Sequence, residues 1–248
     1  MSKSVQRGYA PEDKTEFGSA AVPRLHKAAQ NLYYLLNEGY PIKGASVFVG
    51  NHYLLSERQR LALVRAVSSQ ESIENRKNKE LHNLPKDCVV HIDGFNTIIT
   101  LEVALSGSLL LRCMDGTVRD LAALRGTYRL IDKTSQAIVM IGQMLEKSGI
   151  GKAVFYLDSP VSNSGRLKEQ IGTLLGDYPF ELQLEVIHNV DATLETLENV
   201  ITSDAIILDK CKSWFNLNSK VIEEKFGDYP FVDFACKHLS NNAAERKA

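Results

Sequence analysis

The chain of 248 residues contains little cysteine, proline or tryptophan, with 4, 7 and 1 of each. The cysteines lie far apart and form no C-x-x-C pair, which excludes a disulfide-stapled scaffold and indicates reduced, mostly buried thiols. They are Cys88, Cys113, Cys211 and Cys236. No apolar run approaches the roughly 20 residues of a membrane span, and residues 1–7 lack the apolar segment of a signal peptide. We therefore expect a soluble, cytoplasmic protein that does not enter membranes.

The chain also lacks a strong excess of either charge, with 29 Lys and Arg against 30 Asp and Glu and a net charge of -1. This balance excludes a protein that is basic all over, as a nucleic-acid coat would be. The charge is nevertheless uneven, because residues 1–86 hold 13 Lys and Arg against 8 Asp and Glu. We expect this modestly basic region to face phosphates, with solvated surface charge as the alternative. The residues concerned are Arg58, Arg60, Arg65, Arg76 and Lys77.

A polar stretch over residues 68–86 suggests a boundary in the chain. We predict a small helical domain over 1–86, with a linker from about 68, followed by an α/β domain over 87–248. Pro23 marks the start of one helix, which Gly39 ends. A capping box over 56–59 opens a second helix, and 45–49 reads as a short strand.

After residue 86, short apolar runs alternate with amphipathic segments. The sequence predicts strands over 88–92, 153–157, 181–187 and 204–209, helices over 134–147, 166–175 and 191–200, and a hairpin over 108–118. Continuous apolar strands that alternate with helices indicate a mainly parallel sheet covered on both faces. The predicted fold class is therefore α/β, a mainly parallel sheet flanked by helices.

Aspartates stand where these strands end. Asp93 and Asp158 each follow a predicted strand, Asp191 opens the helix after a third, and Asp204 begins the last run. Ligands of open α/β sheets bind beyond the carboxyl ends of the strands, so these carboxylates should converge there. Mutual repulsion would favour a divalent cation among them, and Mg²⁺ or Mn²⁺ prefers oxygen ligands. The sequence therefore predicts an acidic metal centre, with phosphodiester hydrolysis as its chemistry.

Each aspartate also has an ordinary structural interpretation. Asp191 could simply cap its helix, and the Asp93–Asn96 segment could be only a turn. Asp204 and Asp209 could be solubilising charges that flank a strand. The coincidence of all four acids at one edge of the sheet favours a site over these alternatives.

Four segments carry a resemblance to a known superfamily: VVHIDGFN, VFYLDSP, VDATLETL and ITSDAIILD. They resemble the PIN/NYN-like nucleases over residues 87–240. The whole chain is similar to an uncharacterised prokaryotic family, best known from archaea, that joins a helical N-terminal region to such a domain. The segments MDGTVRDLAALRGTYR and LDSPVSNSGRLK carry this second likeness.

The superfamily resemblance implies roles for individual residues. It implies that Asp93, Asp158, Asp191 and Asp204 hold the metal. Asn96 would orient Asp93 or the scissile phosphate. PIN-like enzymes also carry an acid in the early helix, for which Glu102, Asp115 and Asp120 all remain open. The long insertion around Asp115 departs from a minimal PIN domain, so a non-cleaving member remains an alternative.

Phosphate contacts are predicted where a helix follows Asp158, because a helix N-terminus attracts anions. The residues of this loop are Ser162, Asn163, Ser164, Gly165 and Arg166. Arg119, Arg125 and Arg129 are further candidates, with capping and solvated charge as the ordinary explanations. Trp214 and Phe215 could stack a base, although packing is the favoured interpretation.

Other chemistries fit the sequence less well. The run from Asp93 to Thr97 resembles the opening motif of haloacid-dehalogenase phosphatases, but His91 stands in the nucleophile's place, where a core histidine is the favoured interpretation. No P-loop, dinucleotide-binding, nucleophile-elbow or zinc-protease motif occurs. We expect a Mg²⁺- or Mn²⁺-dependent nuclease acting on single-stranded RNA. A non-catalytic nucleic-acid or nucleotide-binding module and a small-molecule phosphatase are the alternatives, and homo-oligomerisation remains open.

Overall fold

The computed structural model describes residues 5–122 and 126–235. The helices are α1 (Asp13–Glu16), α2 (Val22–Asn37), α3 (Ile42–His52), α4 (Glu57–Ala66), α5 (Gln70–Lys79), α6 (Gly94–Leu105), α7 (Thr134–Lys147), α8 (Ser164–Leu175), α9 (Val190–Leu194), α10 (Ala205–Lys210) and α11 (Leu217–Phe226). The strands are β1 (Glu80–Leu81), β2 (Val89–Asp93), β3 (Leu110–Arg112), β4 (Val118–Asp120), β5 (Lys152–Asp158), β6 (Glu181–Ile187), β7 (Val200–Ile201), β8 (Trp214–Phe215) and β9 (Val232–Asp233).

These elements form two compact units. The helical unit comprises residues 9–78, 109–121 and 230–235, and the α/β unit comprises 5–8, 79–108, 122 and 126–229. Each unit therefore draws on separated segments of the chain, and the first described residues belong to the α/β unit. None of the described helices is both long and apolar enough to cross a membrane.

The helical unit packs α2, α3 and α4 around an apolar core. Pro23 lies in the first turn of α2, as predicted, and the predicted capping box opens α4: Ser56 Oγ accepts from the Gln59 amide at 3.2 Å. The prediction of a strand over 45–49 is wrong, because these residues lie within α3. Ala45, Val49 and their neighbours are buried at helical spacing, and a short apolar run alone does not distinguish the two periods.

A small sheet completes the helical unit. The predicted hairpin is confirmed by antiparallel β3 and β4, and β9 pairs parallel with β3. Gly116 makes the turn with φ +84°, a conformation that glycine adopts without strain. Asp115 beside it is buried between Arg76 of α5 and Arg119 of β4, each 2.6 Å away. The two guanidinium groups lower the pKa of Asp115 to about 2, against the opposing effect of its burial.

The α/β unit is built on a six-stranded sheet in the order β1-β8-β7-β2-β5-β6, in which every pair is parallel. Helices α6, α7, α8 and α11 pack together, while α9 and α10 contribute to a separate apolar cluster that includes Trp214. The predicted α/β class with a mainly parallel sheet flanked by helices is thus confirmed. Trp214 is fully buried and Phe215 is 3% exposed, which confirms the packing interpretation of both.

Two predicted elements of this unit are wrong. Residues 205–209 lie in helix α10 rather than in a strand, because the N-cap residue Asp204 accepts through Oδ1 from the amides of Ile206 and Ile207 and so starts a helix. The predicted helix over 191–200 is shorter: α9 ends at Leu194, and Val200 already belongs to β7. The strands predicted over 88–92, 153–157 and 181–187 are confirmed as β2, β5 and β6.

Candidate active site

The strand order reverses at β2. After β2 the chain moves outward through β5 to β6, and it then returns to the other side of β2 to form β7 and β8. The crevice at such a reversal, beyond the carboxyl ends of the strands, is where open α/β sheets bind ligands. Asp93 ends β2 at this point, and Thr202, Ser203 and Asp204 follow the neighbouring β7.

Hydrogen bonds join these two chain segments. The Thr202 hydroxyl donates to Asp93 Oδ2 at 2.9 Å and accepts from the Asp204 amide at 3.0 Å. Asn96 Oδ1 accepts from both the amide and the hydroxyl of Ser203, each at 2.9 Å. Asp93 Oδ1 also accepts from the Asn96 amide at 3.3 Å and thereby caps α6. The predicted Asp93–Asn96 element is therefore held in place by Thr202 and Ser203.

The carboxyl group of Asp93 is poorly placed to ionise. The residue is only 7% exposed, and burial raises its pKa from 3.8 to about 7. Hydrogen bonds from Thr202 and Asn96 lower the pKa, whereas the negative charges of Asp204 and Asp191 raise it further. An aspartate that titrates near neutrality at a sheet's switch point is the kind of group that functional sites contain.

Asp191 and Asp158, the two remaining predicted acids, are also partly buried near other carboxylates. Asp191 lies in the first turn of α9, and burial together with the charges of Asp204 and Asp158 raises its pKa. Burial raises the pKa of Asp158 at the end of β5, partly offset by a hydrogen bond from the Val190 backbone. The N-cap position of α9 is occupied by Asn189, so Asp191 is not its cap. The charges of Asp204 and Asp191 thus act on Asp93, and those of Asp204 and Asp158 act on Asp191.

The four carboxylates do not form a preassembled metal site. Among residues 5–122 and 126–235, no three His, Cys, Asp or Glu side chains are gathered closely enough to hold a metal ion. Asp93 and Asp204 each direct Oδ1 to backbone amides at a helix start. A cation would therefore have to draw the side chains together. The donors present are carboxylate and hydroxyl oxygens, which suit Mg²⁺ or Mn²⁺.

The predicted phosphate loop begins α8 and contacts a neighbouring segment. Ser162 Oγ accepts from the Tyr128 amide at 2.9 Å, and Asn163 Nδ2 donates to the Tyr128 carbonyl at 2.6 Å. Asn163 has φ +64°, whereas Ser164 and Gly165 form the first turn of α8 and Arg166 is exposed there. The loop's side chains therefore position the segment around Tyr128, while Arg166 faces solvent.

The predicted arginines outside this loop are differently placed. Arg119 belongs to the helical unit and is buried against Asp115, with a further hydrogen bond to the Arg65 carbonyl. Arg125 lies outside the described residues, and Arg129 is exposed. His91 is half-buried, and its Nδ1 lies 3.0 Å from the Tyr156 hydroxyl, as a satisfied histidine of the sheet does.

The structure also locates the three acids proposed for the early helix. Glu102 is fully buried in α6 and binds Arg7 Nε at 2.8 Å and the Tyr128 hydroxyl at 2.7 Å. Asp115 and Asp120 belong to the helical unit, where Asp120 binds Arg65. None of the three is among the charges that act on Asp93 or Asp191.

Four of the five cations predicted to form a basic face are instead engaged within the helical unit. Arg58 binds Asp13 with Nε at 2.5 Å, Arg60 binds Asn51 at 2.9 Å, and Arg65 and Arg76 bind the acids named above. Only Lys77 of that set is exposed. These four arginines therefore contribute to the packing of the helical unit, and a role of this region in contacting phosphates stays a prediction.

Sequence reasoning missed Thr202, Ser203, Arg7 and Tyr128. The first two directly precede Asp204 in a Thr-Ser-Asp run, where short hydroxyl side chains beside an acid are a usable signal. Arg7 and Tyr128 lie 95 and 26 residues from Glu102, and nothing in their local sequence indicates that contact. Of the cysteines, Cys113 and Cys211 are buried as predicted and Cys88 is partly exposed, while Cys236 lies outside the described residues.

Comparisons with known proteins agree with the expected likeness to an uncharacterised family. A family model described as "Protein of unknown function (DUF434)" matches residues 24–79, and one described as "Domain of unknown function (DUF5616)" matches 82–220. "Uncharacterized protein MJ0935" of Methanocaldococcus jannaschii is 36% identical over 186 residues, which cover 74% of this chain and 88% of that protein. No solved structure matches the chain. From residue 82 to residue 220, more than half of its length, the chain belongs to the family of the domain of unknown function DUF5616.

Proposed function

We propose that this protein is a metal-dependent, PIN-like nuclease that hydrolyses single-stranded RNA at the carboxyl edge of its six-stranded sheet. One observation supports the proposal: the negative charges of Asp204 and Asp191 raise the pKa of buried Asp93, and those of Asp204 and Asp158 raise the pKa of Asp191. Carboxylates in such an arrangement hold uncompensated negative charge at neutral pH, and a divalent cation neutralises it.

The donor set suits a hard cation. Asp93 and Asp204 stand on either side of the β2–β7 crevice, and Asp191 and Asp158 extend the acidic group toward β5. When bound there, Mg²⁺ or Mn²⁺ supplies positive charge to the phosphate and lowers the pKa of a water molecule. Few other chemistries use four carboxylates without a histidine or cysteine among them.

The residues of the chain have separable roles in this proposal. Thr202 and the Asn96 amide hold the two oxygens of Asp93 in position, and Ser203 fixes the side chain of Asn96. With its Oδ1 bound to Ser203, the side chain of Asn96 keeps its Nδ2 group available to orient a phosphate oxygen. Arg166, exposed in the first turn of α8, supplies a cation that can contact the nucleic-acid backbone. The loop that precedes α8 is anchored to Tyr128 through Ser162 and Asn163.

The test is cleavage of fluorescently labelled single-stranded RNA with Mn²⁺, with Mg²⁺ and with a chelator. Wild-type protein and the Asp177→Asn variant should cleave, since Asp177 is an exposed acid between α8 and β6, at the amino edge of the sheet. Asp93→Asn and Asp204→Asn should lower the rate by at least 100-fold. Cleavage that persists in Asp93→Asn would place the chemistry elsewhere.

Calorimetry with MnCl₂ alone separates the alternatives. Wild-type protein should bind Mn²⁺, and Asp93→Asn should bind it at least tenfold more weakly. RNA binding without Mn²⁺ binding or cleavage would identify a non-catalytic module. Hydrolysis of small phosphate esters without RNA cleavage would identify a phosphatase instead.

A further inference from the structure

Strand β6 is the outer strand at one end of the six-stranded sheet, and among the described residues no other strand pairs with its outer side. The Glu181 amide donates to the Gly151 carbonyl, and the Ile187 carbonyl accepts from the Ser159 amide, both at 2.9 Å toward β5. Backbone groups alternate in direction along a strand. The amides and carbonyls of Leu182, Leu184 and Val186 therefore point away from the sheet.

This edge carries little of the usual protection against pairing. Natural edge strands are shortened, interrupted by a bulge, or supplied with proline or charged side chains, especially lysine, and of these β6 has only Glu181 and Glu185. β6 has seven residues, ELQLEVI, in continuous register with β5, and none of the seven is fully buried. By contrast, the strand at the other end, β1, has only two residues. The longer edge is thus an open template for another strand.

We propose that β6 pairs antiparallel with β6 of a second copy of this chain, centred on Leu184. This pairing places Leu184 opposite the partner's Leu184, and Leu182 opposite the partner's Val186. These are the residues whose backbone groups point outward, so the pairing satisfies three amides and three carbonyls on each copy. The two sheets would join into one continuous sheet of twelve strands.

Charge favours the register centred on Leu184 over the registers centred on Gln183 or Glu185. The centred register places Gln183 opposite the partner's Glu185, where an amide can donate to a carboxylate. The two side chains are compatible, since Gln183 Nε2 already donates to Glu185 Oε1 at 2.7 Å within one copy. Centring the pairing on Glu185 would oppose two Glu185 carboxylates, and centring it on Gln183 would oppose Glu181 and Glu185. Like charges directly opposite one another destabilise a strand pair.

This assembly is independent of the proposed nuclease activity. Because the paired strands run in opposite directions, the carboxyl edges of the two sheets face opposite ways. Each copy then keeps its own acidic group at its own edge, and neither completes the site of the other.

Sedimentation of the full chain tests the proposal through a charge exchange. Wild-type protein should be dimeric at concentrations of about 100 μM, and Gln183→Glu should raise the dissociation constant about tenfold by opposing carboxylates in two symmetric pairs. The double variant Gln183→Glu/Glu185→Gln should restore the dimer, because the exchanged pair is again complementary. A monomeric wild type, or a dimer that Gln183→Glu leaves unchanged, would overturn the proposal.

Residue-resolved hydrogen exchange provides a readout that does not depend on a variant's folding. The amides of Leu182, Leu184 and Val186 should become protected as the protein concentration rises through the dissociation constant. The inward-facing amides of Gln183 and Glu185 should be protected at every concentration. Protection of the outward amides that does not change with concentration would exclude pairing between copies.

Discussion

Replacing Asp93 by asparagine should make the metal-free protein more resistant to unfolding as the pH rises. The folded-state pKa of about 7 lies above the ordinary 3.8, so folding opposes ionisation of this side chain. Below pH 3.8 the group is protonated in both states and no destabilisation arises. Between pH 4 and 7 the unfolded state releases its proton first, and the wild type therefore loses stability as the pH rises.

The magnitude follows from that difference. The gap between 3.8 and about 7, at about 1.4 kcal/mol for each pKa unit, corresponds to about 4 kcal/mol above pH 7. Asparagine carries no charge, but it loses one of the two oxygens that accept from Thr202 and Asn96, at a cost of about 1–2 kcal/mol. The net gain for Asp93→Asn at pH 8 should be about 2 kcal/mol.

Urea unfolding in a chelator, followed by tryptophan fluorescence, measures this effect. Trp214 is the single tryptophan, and it is fully buried in the α/β unit that contains Asp93. The stability of Asp93→Asn relative to wild type should rise by about 3 kcal/mol between pH 5 and pH 8. Asp177→Asn should show no such trend. If the free energies of unfolding of Asp93→Asn and wild type, plotted against pH, run parallel across this range, the inferred burial of a charge at Asp93 is refuted.

Three further outcomes are expected. Mn²⁺ binding should strengthen between pH 6 and 8 and release protons, because a cation requires the ionised form of Asp93, whose pKa is raised to about 7. Calorimetry in buffers of different ionisation enthalpy measures the protons released. Arg7→Met should destabilise the protein by about 3–5 kcal/mol in urea unfolding, because fully buried Glu102 then lacks its cation. The double variant Arg7→Met/Glu102→Gln should recover part of that stability. Gly94→Ala should lower the thermal midpoint, since a Cβ there would lie 2.6 Å from Leu157 Cδ2 and 3.0 Å from a backbone oxygen; Gly165→Ala, where a Cβ meets open space, is the control.

The sequence was sufficient for the buried strands and for the acids that end them. β2 and β5 lie in the interior of a parallel sheet, so they require apolar residues on both sides, and this produces runs such as VVHI and AVFYL. An aspartate at the end of such a run marks the point where the strand reaches water. That is why Asp93 and Asp158 could be assigned to strand ends from the sequence.

The two misassigned runs were ambiguous for a shared reason. The segments at 45–49 and 204–209 are short, apolar and partly β-branched, which suits a buried helix as well as a strand. The capping bonds from Asp204 decide the second case, and burial at helical spacing decides the first. The burial pattern is a tertiary fact, whereas the cap is local, and an aspartate before a short apolar run was open to either interpretation.

Ion pairs over long sequence distances were equally beyond local reasoning. Arg76 and Asp115 lie 39 residues apart, and Arg7 and Glu102 lie 95 apart. A count of charges in residues 1–86 could not distinguish an arginine that faces solvent from one bound to an acid. The excess of positive charge there therefore suggested a phosphate-binding face, although most of those arginines hold the helical unit together.

The two roles of Asp93 bear on the proposed cation at this edge. As the cap of α6, Asp93 contributes about 1 kcal/mol through its bond to the Asn96 amide. Burial beside Asp191 and Asp204 costs about 4 kcal/mol at neutral pH. A serine or threonine would cap the helix without any such cost, so capping alone does not account for aspartate here. Binding of a divalent cation, which favours the ionised form, would offset the difference, and the pH dependence of Mn²⁺ binding measures that compensation directly.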